Sequence, residues 1–327
     1  MLAMASMKAA LVHRWDDTPV VEDVPMPTPG SGETLVRVEA ALVNHLDLTV
    51  LSGAFDPDLP RPYVPGVEGS GTVVSSDTLP VGTRVLVHGA GIGIDRAGTW
   101  AQFVSVPSAA AYAVPPTLSF EIAAAFIEPT ASAWTALYDV ANLGADETVI
   151  VTGATGAVGR AAIAIALAAG ARVIGLVRKD ADRHWVTAPA EAMSEQDIAR
   201  LDELAREQPG TLLVDSVGGP ELATRCSWLR PGSRAVVIGY VGGVTTEWNL
   251  VDFIGRDVSL LPLNMIRRQA VIAQHFSEFV ALVEQGVVPI DVRTFTLDQV
   301  GDAVQAVRAG GARARMVLRP WTKPDQS

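Results

Sequence analysis

The chain has 327 residues, 49% hydrophobic and 19% charged, which is enough apolar material for two packed domains and excludes a disordered chain. With 36 acidic residues against 25 basic ones its formal net charge is −11, which argues against a nucleic-acid or anionic-membrane surface and favours a small-molecule enzyme. One cysteine, Cys226, rules out an intrachain disulfide and points to a reducing compartment, so a cytoplasmic protein is expected.

The start, MLAMASMKAALV, holds only a short apolar run with no charged leader before it. Neither a signal peptide nor a membrane span is expected, and the residues before Met7 read as an extended start or a leader. From Met7 to about Val114, β-like runs at 8–12, 33–38, 71–74 and 84–88 are punctuated by Pro27, Pro29, Gly30, Gly32, Pro65, Gly66 and Gly82. This predicts a mostly β domain of rolled, partly barrel-like character. Near Pro116 the pattern turns helical: Ser119 and Glu121 can cap a helix carrying residues 122–126, and helix continues through 131–142.

Residues 148–180 read as a complete strand, glycine turn, helix and second strand. Val149, Ile150 and Val151 suit a strand buried on both faces, and Gly153, Gly156 and Gly159 follow at intervals of three. One glycine lets the chain reverse, one lets backbone approach a pyrophosphate, and one lets the helix lie close on the strand. The helix opens at 157–160, so its amides and positive dipole end face the phosphates. It ends at Gly170, and the strand 172–177 begins at once, running into Arg178 and Lys179 where an NAD site usually supplies an acid. Two cations there favour NADPH over NADH, the alternative being plain surface residues on a solvated strand end.

Beyond a disturbed stretch, 181–194, come a charged helix at 195–207 and buried strands at 211–215 and 234–239. Strands alternating with helices make an α/β, doubly wound parallel sheet of Rossmann type, with ligands beyond its carboxyl ends at Gly153, Arg178, Val217 and Gly239. The last portion gives a strand from Leu260, an amphipathic helix 270–285, a strand 292–295, a helix 297–309 and a strand 316–318.

In this order the pieces MKAALV (7–12), VNHLDLTVLSG (43–53), PGVEGSGTVV (65–74), GTWAQFVSVP (98–107), the glycine turn, LLVDSVGG (212–219), LRPGSRAVVIG (229–239) and ARARMVLRP (312–320) resemble the medium-chain dehydrogenase/reductase superfamily. The resemblance is strongest to its zinc-free quinone oxidoreductase branch. It implies a mostly β, GroES-like catalytic domain from residues 1–121 and 261–327, with a Rossmann dinucleotide-binding domain at 122–260 inserted between them. It also implies a homodimer formed through the nucleotide-domain sheet. Zinc-dependent relatives place cysteine and histidine ligands near the positions that here hold Asn44 and Val67, neither of which can supply them. No metal is expected, and His13, His45, His88, His184 and His275 show no ligand spacing.

Without zinc to stabilise an alkoxide, reduction of an activated double bond is the more natural chemistry. The resemblance implies NADPH-dependent hydride transfer to a quinone or an α,β-unsaturated ketone. Asn44 would stand at the nicotinamide end, or simply satisfy backbone groups before a helix. Asp47 would orient the loop or move protons, and Tyr63 would donate a proton or pack at the cleft mouth, with solvent as the competing donor; Glu68 reads as structural. Cofactor contacts are expected at Asn44, Ser132, Gly153, Thr155, Gly156, Ala157, Val158, Gly159, Arg178, Lys179, Val217, Gly239 and Tyr240. One departure is visible: family members carry a helix between the second and third strands, but here 180–184 leads almost directly into Trp185, Val186 and Thr187, so the adenine end is expected to be more open. Two alternatives stay open, an enoyl-thioester reductase and a non-redox nucleotide- or ligand-binding protein or cyclase. The substrate itself depends on loops such as 55–62 and 241–248.

Overall fold

A computed structural model describes residues 6–310 and 313–321; the leader at 1–5 and Ala312 of the last motif lie outside them. The chain divides into two compact units, Met1–Phe126 with Ile290–Ser327, and Ile127–Pro289.

In the first unit β1 (Ser6–Leu11) and β2 (Val20–Pro25) form an antiparallel pair. The long strand β3 (Glu33–Val43) is followed by helix α1 (His45–Leu51), β4 (Glu68–Ser76), β5 (Arg84–His88), β6 (Phe103–Pro107), β7 (Ala111–Ala113) and a short α2 (Phe120–Ala123). One edge of β3 pairs with β4 along its length, with register shifts at Leu35/Val36 and Val38/Ala40 that bend the strand. Gly71 permits this pairing, since a Cβ there would stand 2.0 Å from the Arg37 carbonyl oxygen. Trp100, fully buried, fills the roll, and its indole N–H donates to the Leu42 carbonyl at 2.7 Å.

The second unit opens with α3 (Ile127–Trp134), which widens into a π-helical turn at Thr135–Val140 inside the expected 131–142 helix. Then come β8 (Thr148–Val151), α4 (Ala157–Ala168), β9 (Arg172–Val177), β10 (Glu191–Ser194), α5 (Ile198–Glu207), β11 (Gly210–Asp215), α6 (Leu222–Cys226), β12 (Leu229–Val237), α7 (Leu250–Arg256), β13 (Ser259–Pro262) and α8 (Ala270–Glu284). The strands are all parallel in the order β10-β9-β8-β11-β12-β13. Numbered within the unit this is 3-2-1-4-5-6, the doubly wound nucleotide-binding order. β8 and β11 are buried almost throughout, which explains their unbroken apolar runs.

The chain then returns to the first unit with β14 (Val292–Thr296), a 3₁₀ turn at Leu297–Gln299, α9 (Val300–Ala309) and β15 (Arg315–Arg319). β15 pairs with β14 and with residues 41–43 of β3, while residues 33–37 of β3 pair with β6. Sharing one strand between two partners in this way rolls the sheet.

Three differences from the sequence reading have local causes. The disturbed stretch contains a strand, β10, too short to show a period. The crossover leading to it is a 3₁₀ turn, Asp180–Trp185, with no α-helix, as its sequence suggested. Helix α5 starts at Ile198, capped by Asp197, because the Glu195 amide is taken by the Val177 carbonyl at 2.9 Å. The compact units divide after Phe126 and Pro289, against sequence boundaries at 121/122 and 260/261. α8 stays in the second unit because its Glu278 accepts the Trp134 indole N–H at 2.8 Å and its Phe279 ring stands 5.8 Å from that indole.

At Gly159 a Cβ would meet the Gly153 carbonyl oxygen at 2.2 Å, whereas at Gly255 of α7 nothing lies within 4 Å. Gly159→Ala is therefore expected to destabilise by about 1–3 kcal/mol through overpacking, and Gly255→Ala to stabilise by about 0.5–1 kcal/mol through helix propensity. Denaturant midpoints check both, and equal midpoints for the two variants would contradict the close approach of α4 to β8.

Candidate functional site

The glycine turn is built from the end of β8. The Thr152 hydroxyl accepts the Ser216 amide and the Thr152 carbonyl accepts the Ser216 hydroxyl, both at 3.1 Å, tying the ends of β8 and β11 together. Gly153 takes φ +59, and a Cβ there would lie 2.6 Å from Ser216 Oγ. Gly156 is the N-cap of α4, extended at φ −79 and ψ 167, and caps the helix with no side chain. No acidic residue stands in the first turn. The first amides of α4 have no intrahelical partner, and a Cβ on Gly156 would find only the Gly153 carbonyl oxygen within 4 Å, at 3.2 Å. This open, positive helix end fits a phosphate group.

Thr155, Ala157 and Val158 are half-buried around this end, and Ser132 is buried in α3. Gly239, after β12, approaches Ser216 so closely that a Cβ would stand 2.3 Å from its carbonyl oxygen. Gly153, Val217 and Gly239 thus gather at one edge of the sheet. Arg178 and Lys179, just past β9, are exposed and carry no ion pair among the described residues, while the nearest acid, Asp180, pairs with Arg183 at 3.2 Å. Tyr240 is 64% exposed.

Sequence reasoning missed a buried network beneath this edge. Asp215, the last residue of β11, is fully buried; its Oδ1 accepts the Val217 and Gly218 amides at 2.8 and 2.6 Å, and its Oδ2 accepts from Arg225 at 3.1 Å. The Arg225 guanidinium also donates to the Gly218 carbonyl at 2.8 Å and to Glu195 at 2.8 Å. Burial alone would lower its pKa, but Asp215 and Glu195 raise it on balance and keep it charged. The Asp-x-x-Gly at 215–218 marks the turn, but nothing in the sequence pairs residues 10 and 30 positions apart.

In the first unit, Asn44 and Asp47 form a reciprocal cap on α1. Asn44 Oδ1 accepts the Leu46 and Asp47 amides at 2.8 and 3.1 Å, and Asp47 Oδ2 accepts the Asn44 amide at 2.9 Å. Asp47 Oδ1 accepts the Val67 amide at 3.0 Å, so the carboxylate locks α1 to the segment entering β4. Both Asp47 oxygens are engaged in holding backbone, and the Asn44 side-chain oxygen is taken by the helix cap.

Tyr63 is buried and its hydroxyl donates to the Arg96 carbonyl at 2.8 Å. Burial, then the nearby Asp95 and Asp47, push its pKa above the ordinary 10.0. Its contribution to stability is present below that value and is lost as pH rises beyond it. This is a packed tyrosine whose proton is already spent. Glu68 is buried beside His88, at 2.9 Å, and Arg315, at 3.6 Å. Among the described residues no group of three or more His, Cys, Asp or Glu side chains is placed to hold a metal ion.

Two sequence profiles match the chain: the alcohol dehydrogenase GroES-like domain over residues 30–116 and zinc-binding dehydrogenase over residues 195–318. The chain belongs to the medium-chain dehydrogenase/reductase superfamily. This superfamily member is 36% identical over 204 residues to a zinc-type alcohol dehydrogenase-like protein of Schizosaccharomyces pombe, 62% of this chain and 59% of that protein. It is 30% identical to the human synaptic vesicle membrane protein VAT-1 homolog over 67% of this chain and 56% of that one, so it spans less than two thirds of these two relatives. With the mouse quinone oxidoreductase it shares 26% identity over 90% of this chain and 92% of that protein. The crystal structure of an NAD-dependent alcohol dehydrogenase superposes with a TM-score of 0.84 at 25% identity, covering 96% of this chain and all of that one. AibC, at 24% identity, shares the fold with a TM-score of 0.87 over 98% of this chain and 97% of its own.

Removing the Asp47 side chain strands two buried amides. Asp47→Ala is expected to cost about 3 kcal/mol, and Asp47→Asn, which keeps one good acceptor, about half of that. Chemical denaturation tests this: unchanged stability in both variants would mean that Asp47 does not hold the loop.

Proposed function

We propose that this protein is an NADPH-dependent, zinc-independent oxidoreductase that reduces a quinone or an α,β-unsaturated ketone. The observation that carries the reading is the helix end at Gly156, open in front and uncapped, at the carboxyl edge of a 3-2-1-4-5-6 sheet. Similarity to quinone oxidoreductases over nine tenths of the chain supports the reaction class. When bound, the nicotinamide cofactor supplies the hydride. The α4 amides hold its diphosphate, with Thr155, Ala157, Val158 and Gly159 closing around it. Arg178 and Lys179, unpaired at the end of β9, attract the additional phosphate of NADPH.

The proton that completes reduction comes from solvent, since the Tyr63 hydroxyl is turned to the Arg96 carbonyl. A second reading, nucleotide binding without turnover, is favoured by the reduced crossover between β9 and β10.

We further propose a homodimer through the edge strand β13 and the face of α7 that exposes Leu250, Val251 and Ile254. Ile254→Glu is expected to yield monomers in light scattering, and an unchanged mass would refute this surface. Among the described residues no helix is long and apolar enough to cross a membrane, and we place the protein in the cytoplasm on its single buried cysteine.

NADPH absorbance followed with quinones, enones and enoyl thioesters tests the activity. Oxidation with quinones or enones is expected; activity only with enoyl thioesters would shift the substrate class, and binding without oxidation would leave the non-redox reading. Gly156→Asp is expected to weaken NADPH on the order of 100-fold by like-charge repulsion while raising stability by about 0.5 kcal/mol, because aspartate is a good N-cap. Arg178→Ala is expected to weaken NADPH about tenfold and leave NADH unchanged. Calorimetric titration reads both, and equal losses for the two cofactors would remove Arg178 from phosphate recognition.

A further inference from the structure

Arg225 is 2% exposed, in a helix of five residues, yet its guanidinium reaches groups belonging to strands that are not neighbours. In the order β10-β9-β8-β11, Glu195 follows the first of these strands and Asp215 ends the last. Arg225 Nε and Nη2 grip the two Glu195 carboxylate oxygens at 2.8 and 3.4 Å, while Nη1 donates to Asp215 Oδ2 and to the Gly218 carbonyl. Glu195 is fixed in turn by the hydrogen bond its backbone N–H donates to the carbonyl of Val177, the last residue of β9.

What this network holds is backbone. Asp215 takes the Val217 and Gly218 amides, fixing the turn 216–219. Gly218 and Gly219 sit at φ +65 and +84, and Cβ atoms there would meet the Gly239 and Gly242 carbonyl oxygens at 2.6 Å each. The turn is therefore wedged between the glycine turn, through Ser216, and the segment 239–243. In a doubly wound sheet the ribose next to the adenine is read at the end of the second strand, here β9, so the adenosine lies over the ends of β9, β10 and β11. In this chain the crossover that leaves β9 has no α-helix to brace that region.

We propose that Arg225 is a positioning residue for the adenosine half of the bound dinucleotide. It ties the end of β10 to the turn after β11 and so supplies the rigidity that a crossover helix would otherwise give. The inference rests on the dinucleotide reading above. Arg225 touches no ligand itself; it acts through Asp215, Glu195 and the backbone of residues 216–219. Bidentate geometry is what lets one side chain set both walls, and lysine, a point charge with no fork, can satisfy only part of it.

The test uses the whole protein and two probes, NADPH and adenosine 2′,5′-bisphosphate, titrated calorimetrically well below the melting temperature. Arg225→Met strands Asp215 in the interior and is at risk of not folding. Arg225→Lys and Glu195→Gln keep a charge partner or leave none stranded. Both are expected to bind adenosine 2′,5′-bisphosphate about tenfold more weakly than wild type, with circular dichroism unchanged. Where Arg225→Met folds, it should lose more than Arg225→Lys. Lower melting temperatures with unchanged bisphosphate affinity would overturn the inference, since a purely structural network moves stability alone. If the wild type binds neither probe, the dinucleotide reading falls first and takes this inference with it.

Discussion

A Cβ at residue 159 would stand 2.2 Å from the Gly153 carbonyl oxygen, so α4 can lie against the end of β8 only because that atom is missing. From this approach the rest of the second unit follows. It brings the open end of α4 to the edge where Gly153, Val217 and Gly239 gather, with a glycine and no capping side chain at residue 156. A normal N-cap would satisfy one more amide and add stability. The fold leaves that gain aside and keeps a positive, unobstructed helix end, the arrangement an anion needs.

The two units solve a similar problem with opposite chemistry. In the first, a buried carboxylate, Asp47, fixes a loop by accepting two backbone amides and, with Asn44, caps the helix that follows. In the second, the helix end stays open and the carboxylate is moved behind it, as Asp215, where it shapes a turn and is balanced by Arg225. Buried charge serves geometry in both places, each carboxylate holding two backbone amides.

The glycine turn could be read from the sequence because each of its positions answers a steric requirement that no other residue meets. The parallel, doubly wound sheet was legible in buried apolar strands at 149–151, 172–177 and 211–215 alternating with helices, since only a sheet covered on both faces can bury such runs. β10 could not be read, since four residues, Glu-Ala-Met-Ser, show no alternation and owe their strand form to pairing with β9. The π turn at Thr135–Val140 is likewise a tertiary adjustment within a sequence of ordinary helix formers. Asn44, Asp47 and Tyr63 were singled out by the sequence, but their bonding partners decide what they do. Those partners are backbone groups, at Val67 and Arg96 among others, which leave no mark in a one-dimensional pattern. Arg225 was invisible for the same reason: an arginine in a short helix looks like surface until the carboxylates around it are in place.

The reciprocal cap at Asn44 and Asp47 bears on how this lineage can change. Zinc-dependent relatives place a ligand near residue 44, but here that side chain accepts the Leu46 and Asp47 amides. A cysteine substituted there would forfeit a cap of about 1 kcal/mol before any metal could compensate. A route to a metal-holding sequence therefore starts downhill in stability and needs a second ligand at residue 67 before it recovers. Residue 44 is thus part of the scaffold, and what it can become is limited by a helix end as much as by any ligand.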